Sequence, residues 1–157
     1  TAVRKFANYI NNNTSGGEML FCGIGGDTSP DGEYAYLFKN YKSTTLDICE
    51  QYHPKILADI TDTKLDPNSW DLIILVQSLE HIENIFDVGP EVHRILKHGG
   101  YFVVDCPFNY PYHPEPGFRD LWRVTQDGMN ALFGKYFELI DLEFNDHNTS
   151  CLYRKCL

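Results

Sequence analysis

Trp70-Asp71-Leu72-Ile73-Ile74-Leu75-Val76 is an apolar run of strand length that opens around an Asp and breaks into Gln77-Ser78. Continuous apolar runs suit a strand covered on both faces, as in a parallel sheet, whereas a strand with one wet face alternates. A chain built around such a strand needs helices on both sides of its sheet. In open α/β sheets the ligand crevice lies just beyond the carboxyl ends of the strands. Glu80 and His81, which follow the run, are therefore read at the place where such folds do chemistry. As plain structure they would be a helix cap and a solvated loop residue.

The rest of the chain has the same alternation. Val3, Phe6, Ala7 and Ile10 have the spacing of an amphipathic helix, and Asn11 to Gly17 reads as a polar breaker. Glu18–Cys22, Ser43–Ile48, Lys55–Ile60 and Tyr101–Cys106 read as further strands around the opening run. Glu33 to Asn40 reads as a short helix. Ile85 to His98 reads as a longer one with Gly89-Pro90 in its first turns, ended by Gly99-Gly100. Thr125 is the expected N-cap of a helix to Tyr136. Phe137–Phe144 and Ser150–Arg154 read as a closing antiparallel hairpin. The fold expected is α/β and doubly wound: a mostly parallel seven-stranded sheet with a C-terminal antiparallel hairpin, in one domain spanning residues 1–157.

Net charge is -9 and the basic residues are scattered, which argues against a nucleic-acid backbone as the main partner. The five cysteines form no C-x-x-C pair, so a reduced, cytoplasmic setting is expected, and their spacing with the histidines offers no metal site. No apolar stretch is long enough to span a bilayer and no signal-peptide pattern is read. The chain opens at Thr1 without Met, so whether its start is trimmed stays open. Aromatic residues make up 14%, with ten Tyr and ten Phe, consistent with an aromatic-lined surface or pocket.

Three pieces ahead of the opening run point to a nucleotide-like ligand. Gly23-Ile24-Gly25-Gly26 follows the first strand, and such glycines permit positive φ and close approach of the backbone to a ligand. It misses the dinucleotide pattern G-x-G-x-x-G, because position 28 is Thr. Asp47 ends the second strand, where a carboxylate can accept from both hydroxyls of a ribose. Asp59 closes the third strand and could accept from an adenine amino group, with Ile48 and Ile60 covering the ring. The bland readings of these residues are a tight turn, a cap and a strand-end turn.

In order and spacing these pieces resemble the class I S-adenosylmethionine-dependent methyltransferases. The resemblance runs from about Glu18 to Leu142 and takes in the glycine loop, Asp47, Ala58-Asp59-Ile60, Trp70-Asp71-Leu72-Ile73 and Leu79-Glu80-His81-Ile82. It also takes in Val92-His93-Arg94-Ile95-Leu96-Lys97-His98-Gly99-Gly100, with His98 where the family usually has Pro. It implies a Rossmann-like fold, S-adenosylmethionine as cofactor, and a cofactor site of Gly23, Gly25, Asp47, Ile48, Asp59, Ile60, Gln77 and Glu80. Pro107-Phe108, Tyr112-His113-Pro114-Glu115-Pro116 and Asp120-Leu121-Trp122-Arg123-Val124-Thr125 are similar to a bacterial subgroup with a P-F…H-P-x-P…D-Y-W-R-F-T stretch, lengthened here by Gly117-Phe118-Arg119. In that subgroup the stretch faces the methyl acceptor, often in glycan-related settings.

Methyl transfer from a sulfonium is an in-line displacement, so the protein mainly positions the acceptor and excludes water. A hydroxyl acceptor is helped by a base, and His is the natural one. The expected catalytic residues are His81 first and His113 second. Tyr112, Trp122 and Arg123 are candidates for binding a small-molecule or glycan acceptor, with a buried anchor and an Asp120–Arg123 ion pair as the bland alternatives. The chain departs from the family at Phe21, where an acid usually supports the amino-acid end of the cofactor, and Asp27 is the nearest acid beyond the glycines. A degenerate, non-catalytic binding protein and a nicotinamide-dependent oxidoreductase are the readings that stay open beside the enzyme.

Overall fold

Leu72, Ile73 and Ile74 are fully buried at the centre of a seven-stranded sheet in a computed structural model that describes residues 1–25 and 32–157. The strands are β1 (Gly17–Cys22), β2 (Tyr41–Asp47), β3 (Ile56–Leu57), β4 (Trp70–Val76), β5 (Leu96–Pro107), β6 (Glu138–Phe144) and β7 (Asn148–Arg154). Their order is β3-β2-β1-β4-β5-β7-β6. The first five pair in parallel, and β7 pairs antiparallel with both β5 and β6, as the sequence reading expects. The β4 run is apolar throughout because each face meets its own core. Ile73 and Leu75 pack with helices α2 (Val88–Ile95) and α3 (Gln126–Phe133). Leu72, Ile74 and Val76 pack with helix α1 (Ala2–Asn13), through its buried stripe Val3, Phe6, Ala7 and Ile10.

Several boundaries differ from those expected, each for a local reason. Helix α1 continues through Asn11 to Asn13, because Asn13 Nδ2 donates back to the Tyr9 carbonyl and Asn11 Nδ2 donates to the Leu37 carbonyl. The segment at Glu33–Asn40 forms a single 3-10 turn, Ala35–Leu37, and β3 shrinks to two residues. Helix α2 begins only at Val88, after a 3-10 turn at Ile85–Asp87, and ends at Ile95 rather than at the glycines. The amides of Asn68 and Ser69 take the Arg94 and Ile95 carbonyls, and Leu96 turns extended to pair with Trp70. Gly99, at φ 78°, and Gly100 lie inside β5, where a Cβ on Gly100 would fall 2.9 Å from the Asp71 carbonyl oxygen. Thr125 caps α3 as expected, its hydroxyl accepting from the Gly128 amide at 3.0 Å.

The strand order reverses direction between β1 and β4. Loops leaving the carboxyl ends of two such strands part to opposite sides, and the crevice they leave is where α/β sheets bind ligands.

Candidate active site

The cleft opens where β1 and β4 end. Gly23, at φ 73°, has no room for a side chain: a Cβ there would lie 2.0 Å from the Ser78 hydroxyl oxygen, which itself sits 3.2 Å from the Gly23 carbonyl. Gly25 has φ 53° and open space, so only its left-handed backbone favours glycine. Its amide donates to Asp47 Oδ2 at 3.3 Å, while the Cys49 amide donates to Oδ1 at 2.9 Å. The Asp47 carboxylate is thus held at the tip of β2, nearly buried. Among the described residues each oxygen accepts one hydrogen bond, and a carboxylate oxygen has lone pairs for two. Ile48, the next residue, is 58% exposed. Asp59 is exposed and engages the Thr61 amide and hydroxyl through Oδ1, and Ile60 is buried beside it.

These residues line a cleft of about 450 Å³ together with Gln77 and His81. Gln77 stands at φ 51° at the β4 exit, its side-chain amide donating to Asp105 and its backbone amide to the Asp105 carbonyl at 3.0 Å. Burial raises the Asp105 carboxyl above its ordinary range, opposed by hydrogen bonds from Ser150 and Gln77.

Deeper, the 3-10 turn Leu79–His81 brings three groups together. Glu80 has no exposed surface, and neither carboxylate oxygen has a hydrogen-bond partner in another described residue. Glu80 Oε1 lies 3.6 Å from His81 Nε2 and 3.7 Å from His113 Nε2. The two imidazoles meet edge to face, with centroids 5.4 Å apart. Burial pushes the Glu80 carboxyl up, against its own backbone hydrogen bond and the charges of both imidazoles and Arg123. His81 Nδ1 lies 2.8 Å from the Arg119 carbonyl and His113 Nδ1 lies 2.9 Å from the Pro111 carbonyl. A carbonyl only accepts, so each Nδ1 carries the proton and each Nε2 of a neutral ring presents a lone pair.

Glu80 therefore stands behind the cleft wall, against the imidazoles rather than the opening. Tyr112, Trp122 and Arg123 do not line the cleft. Tyr112 is 76% exposed. The Trp122 indole N–H donates to the Ile82 carbonyl at 2.8 Å. Arg123 grips Asp120 with two hydrogen bonds of 2.6 and 2.8 Å and reaches the Tyr110 and Pro111 carbonyls. That grip holds the Asp120 carboxyl well below the usual carboxylate range. Asp120 Oδ2 in turn accepts from the His113 amide at 2.9 Å, so the pair fixes the turn that carries His113.

Two aromatic groups were missed in the sequence. Tyr52 and Phe118 stack at 5.8 Å with planes 12° apart, and Phe118 also lies 5.8 Å from the His81 ring. Phe118 belongs to the Gly117-Phe118-Arg119 lengthening, whose residues line the cleft and pair Arg119 with Glu83. An inserted aromatic inside a Pro-rich loop was the available signal. Phe21 is buried in the α1-side core, and Gly32 lies so close that a Cβ would meet its ring at 2.5 Å. Asp27 lies outside the described residues.

The sequence profile of the family described as "Methyltransferase domain" matches residues 22–104, more than half of the chain. The chain belongs to that family, with the class I methyltransferase fold. No curated protein matches it by sequence. Among solved structures, 1,6-didemethyltoxoflavin-N1-methyltransferase of Burkholderia thailandensis, with bound 1,6-didemethyltoxoflavin and S-adenosylhomocysteine, is similar with TM-score 0.71 and 14% identity, over 100% of this chain and 79% of that one. The N-methyltransferase NodS of Bradyrhizobium japonicum, in complex with S-adenosylhomocysteine, is similar with TM-score 0.70 and 10% identity, over 98% of this chain and 85% of that one. The (4+2)-cyclase SpnF is similar with TM-score 0.69 and 12% identity, over 98% and 81%. At these identities the likeness is one of fold. Among the described residues no helix is long and apolar enough to cross a membrane.

Proposed function

We propose that the chain is an S-adenosylmethionine-dependent methyltransferase that methylates a hydroxyl of a small molecule or glycan, acting as a single domain. The observation that carries this is one continuous cleft, with Asp47 and Ile48 on one wall and His81 on the other. The cofactor, which the two methyltransferase neighbours above hold in its demethylated form, supplies an electrophilic methyl on a sulfonium. The residues present fit it. The open space beside Gly25 leaves room for a ligand against the backbone, and lone pairs of Asp47 suit two ribose hydroxyls. Exposed Ile48 and buried Ile60 offer apolar cover for a ring, and Asp59 offers an acceptor for an exocyclic amine.

At the other wall, His81 Nε2 has the free lone pair that a hydroxyl proton needs, and Glu80 behind it favours the imidazolium that forms. The O–CH3 bond forms as the CH3–S bond breaks, and the sulfur keeps that electron pair as a neutral thioether. His113 backs His81, and the Asp120–Arg123 pair positions His113. Tyr112 and Trp122, exposed and outside the cleft lining, are the candidates for contact with an acceptor larger than the cleft. The Pro107–Thr125 stretch supports membership of the bacterial subgroup described above.

His81→Ala tests the catalytic part: we expect turnover to fall by roughly 10²–10⁴-fold, the usual worth of a positioned base. S-adenosylhomocysteine binding measured by calorimetry should be unchanged. Full turnover in the variant removes His81 from the chemistry. A second reading, cofactor binding without transfer, draws on Phe21, because an apolar core residue replaces an acid. Binding of S-adenosylhomocysteine with no transfer to any of a panel of hydroxylated acceptors favours that reading.

A further inference from the structure

The cluster behind the cleft has a defect that methyl transfer by a histidine base does not explain. The Glu80 carboxylate is fully buried with neither oxygen hydrogen-bonded to another described residue. Buried charges are paired, hydrogen-bonded or bound to metals, because leaving them bare is costly. The two nearest groups, His81 Nε2 and His113 Nε2, lie 3.6 and 3.7 Å away, beyond hydrogen-bond range. Both present lone pairs, since each Nδ1 is committed to a backbone carbonyl. With Glu80 ionised and both rings neutral, three acceptors converge, and one ligand atom from each residue lies within 4.8 Å of the others. A single proton would satisfy one pair only. A cation would satisfy all three.

We propose that Glu80, His81 and His113 bind one divalent transition-metal cation through the carboxylate and the two Nε2 atoms, leaving coordination positions open on the cleft side of His81. Neighbouring ligands of a tetrahedral ion bonded at about 2.0–2.2 Å stand roughly 3.4 Å apart, close to the 3.6 and 3.7 Å that separate Glu80 Oε1 from the two Nε2 atoms. The surroundings are those of a metal site. Ligating histidines almost always donate their other N–H to a carbonyl or carboxylate, which fixes tautomer and ring orientation. His81 does this to Arg119, and His113 to Pro111 with Asp120 Oδ2 at 3.2 Å. Two imidazoles and one carboxylate favour an ion such as Zn²⁺ or Fe²⁺ over Mg²⁺ or Ca²⁺, which prefer oxygen. Metal sites with three protein ligands and an open position are those that act on a bound substrate oxygen.

The cation's binding stands on this geometry, while its part in catalysis rests on the methyltransferase reading. There it would replace His81 as the activating group: it would make a ligated hydroxyl acidic, the proton passing to solvent, so that the O–CH3 bond forms as the CH3–S bond breaks and the sulfur keeps that electron pair.

The test uses the intact chain without S-adenosylmethionine. Chelator-treated protein is titrated with Co²⁺, followed by visible absorption, and separately with Zn²⁺ by calorimetry. We expect one equivalent of each, with d–d bands and without the near-ultraviolet thiolate band that Cys49 or exposed Cys156 would produce, and no displacement by excess Mg²⁺. Glu80→Gln keeps the side-chain volume and removes the bare carboxylate, so it is expected to fold at least as stably, as checked by thermal melting. Both it and His113→Ala should weaken binding by more than the roughly 10–100-fold that losing an outer partner costs. No stoichiometric binding to the parent chain, or binding that survives in both variants, overturns the site. If S-adenosylhomocysteine binds and no cation does, the cation inference alone falls. If a cation binds and S-adenosylhomocysteine does not, the methyltransferase reading falls and the cation site stands.

Discussion

At Gly23 backbone conformation and packing both exclude a Cβ, whereas at Gly25 only the conformation does. The two glycines therefore separate strain from crowding. Gly25→Ala should cost about 1–2 kcal/mol, the usual penalty for a left-handed residue. Gly23→Ala adds the displacement of Ser78 and should lose clearly more in urea unfolding. Removing the hydroxyl in Gly23→Ala/Ser78→Ala should recover part of that extra loss. Equal costs for the two single variants would mean that the β1 and β4 exits do not touch as described. Lys155 is a second residue whose role is fixed by its partners. Its buried ammonium donates to Asn68 Oδ1 and to the His93 and Leu96 carbonyls at 2.7–2.9 Å, closing the C-terminal end of α2, while burial lowers its pKa. Lys155→Ala removes the donor of the buried Leu96 carbonyl and of two partly exposed acceptors and should cost about 1–2 kcal/mol, measured by denaturant unfolding.

At the scale of an element, α2 is tied to the loop before β4 through Glu91. Its carboxylate accepts from the Thr63 amide at 2.8 Å and pairs with Arg94 Nε and Nη2 at 2.9 and 2.8 Å. Hydrogen bonds from Arg94 above all, and from Thr63, hold its pKa down to about 2. A carboxyl whose folded pKa is depressed stabilises the fold above its unfolded pKa, near 4.3, and loses that contribution as pH falls toward 2. Glu91→Gln should therefore be less stable at neutral pH and flatten the acid limb of the stability profile between about pH 4.3 and 2. A parallel acid limb in the variant would contradict the linkage.

For the molecule as a whole, the sheet was legible because its signals are local. The β4 run, the hairpin and Thr125 each declare themselves within a few residues. The end of α2 was not legible, because Gly99-Gly100 resembles a helix C-terminus in sequence, whereas the backbone uses it to bring β5 close to Asp71. The cleft lining from Gly23 to Ile60 was readable as a group, since each of these residues lies at or near a strand end. The cluster of Glu80, His81 and His113 was not readable as a unit, because His113 arrives from a loop held by Asp120 and Arg123. Phe118, whose ring lies 5.8 Å from that of His81, was not readable as its neighbour, because 37 positions of sequence separate them.

The central claim, that this cleft holds S-adenosylmethionine at the Asp47–Ile48 wall, is tested most directly by calorimetric titration of the intact chain with S-adenosylhomocysteine. We predict saturable binding of one equivalent, weakened at least tenfold, about 1.4 kcal/mol, in Asp47→Ala. Absence of binding in the parent chain, or equal affinity in the variant, would contradict it.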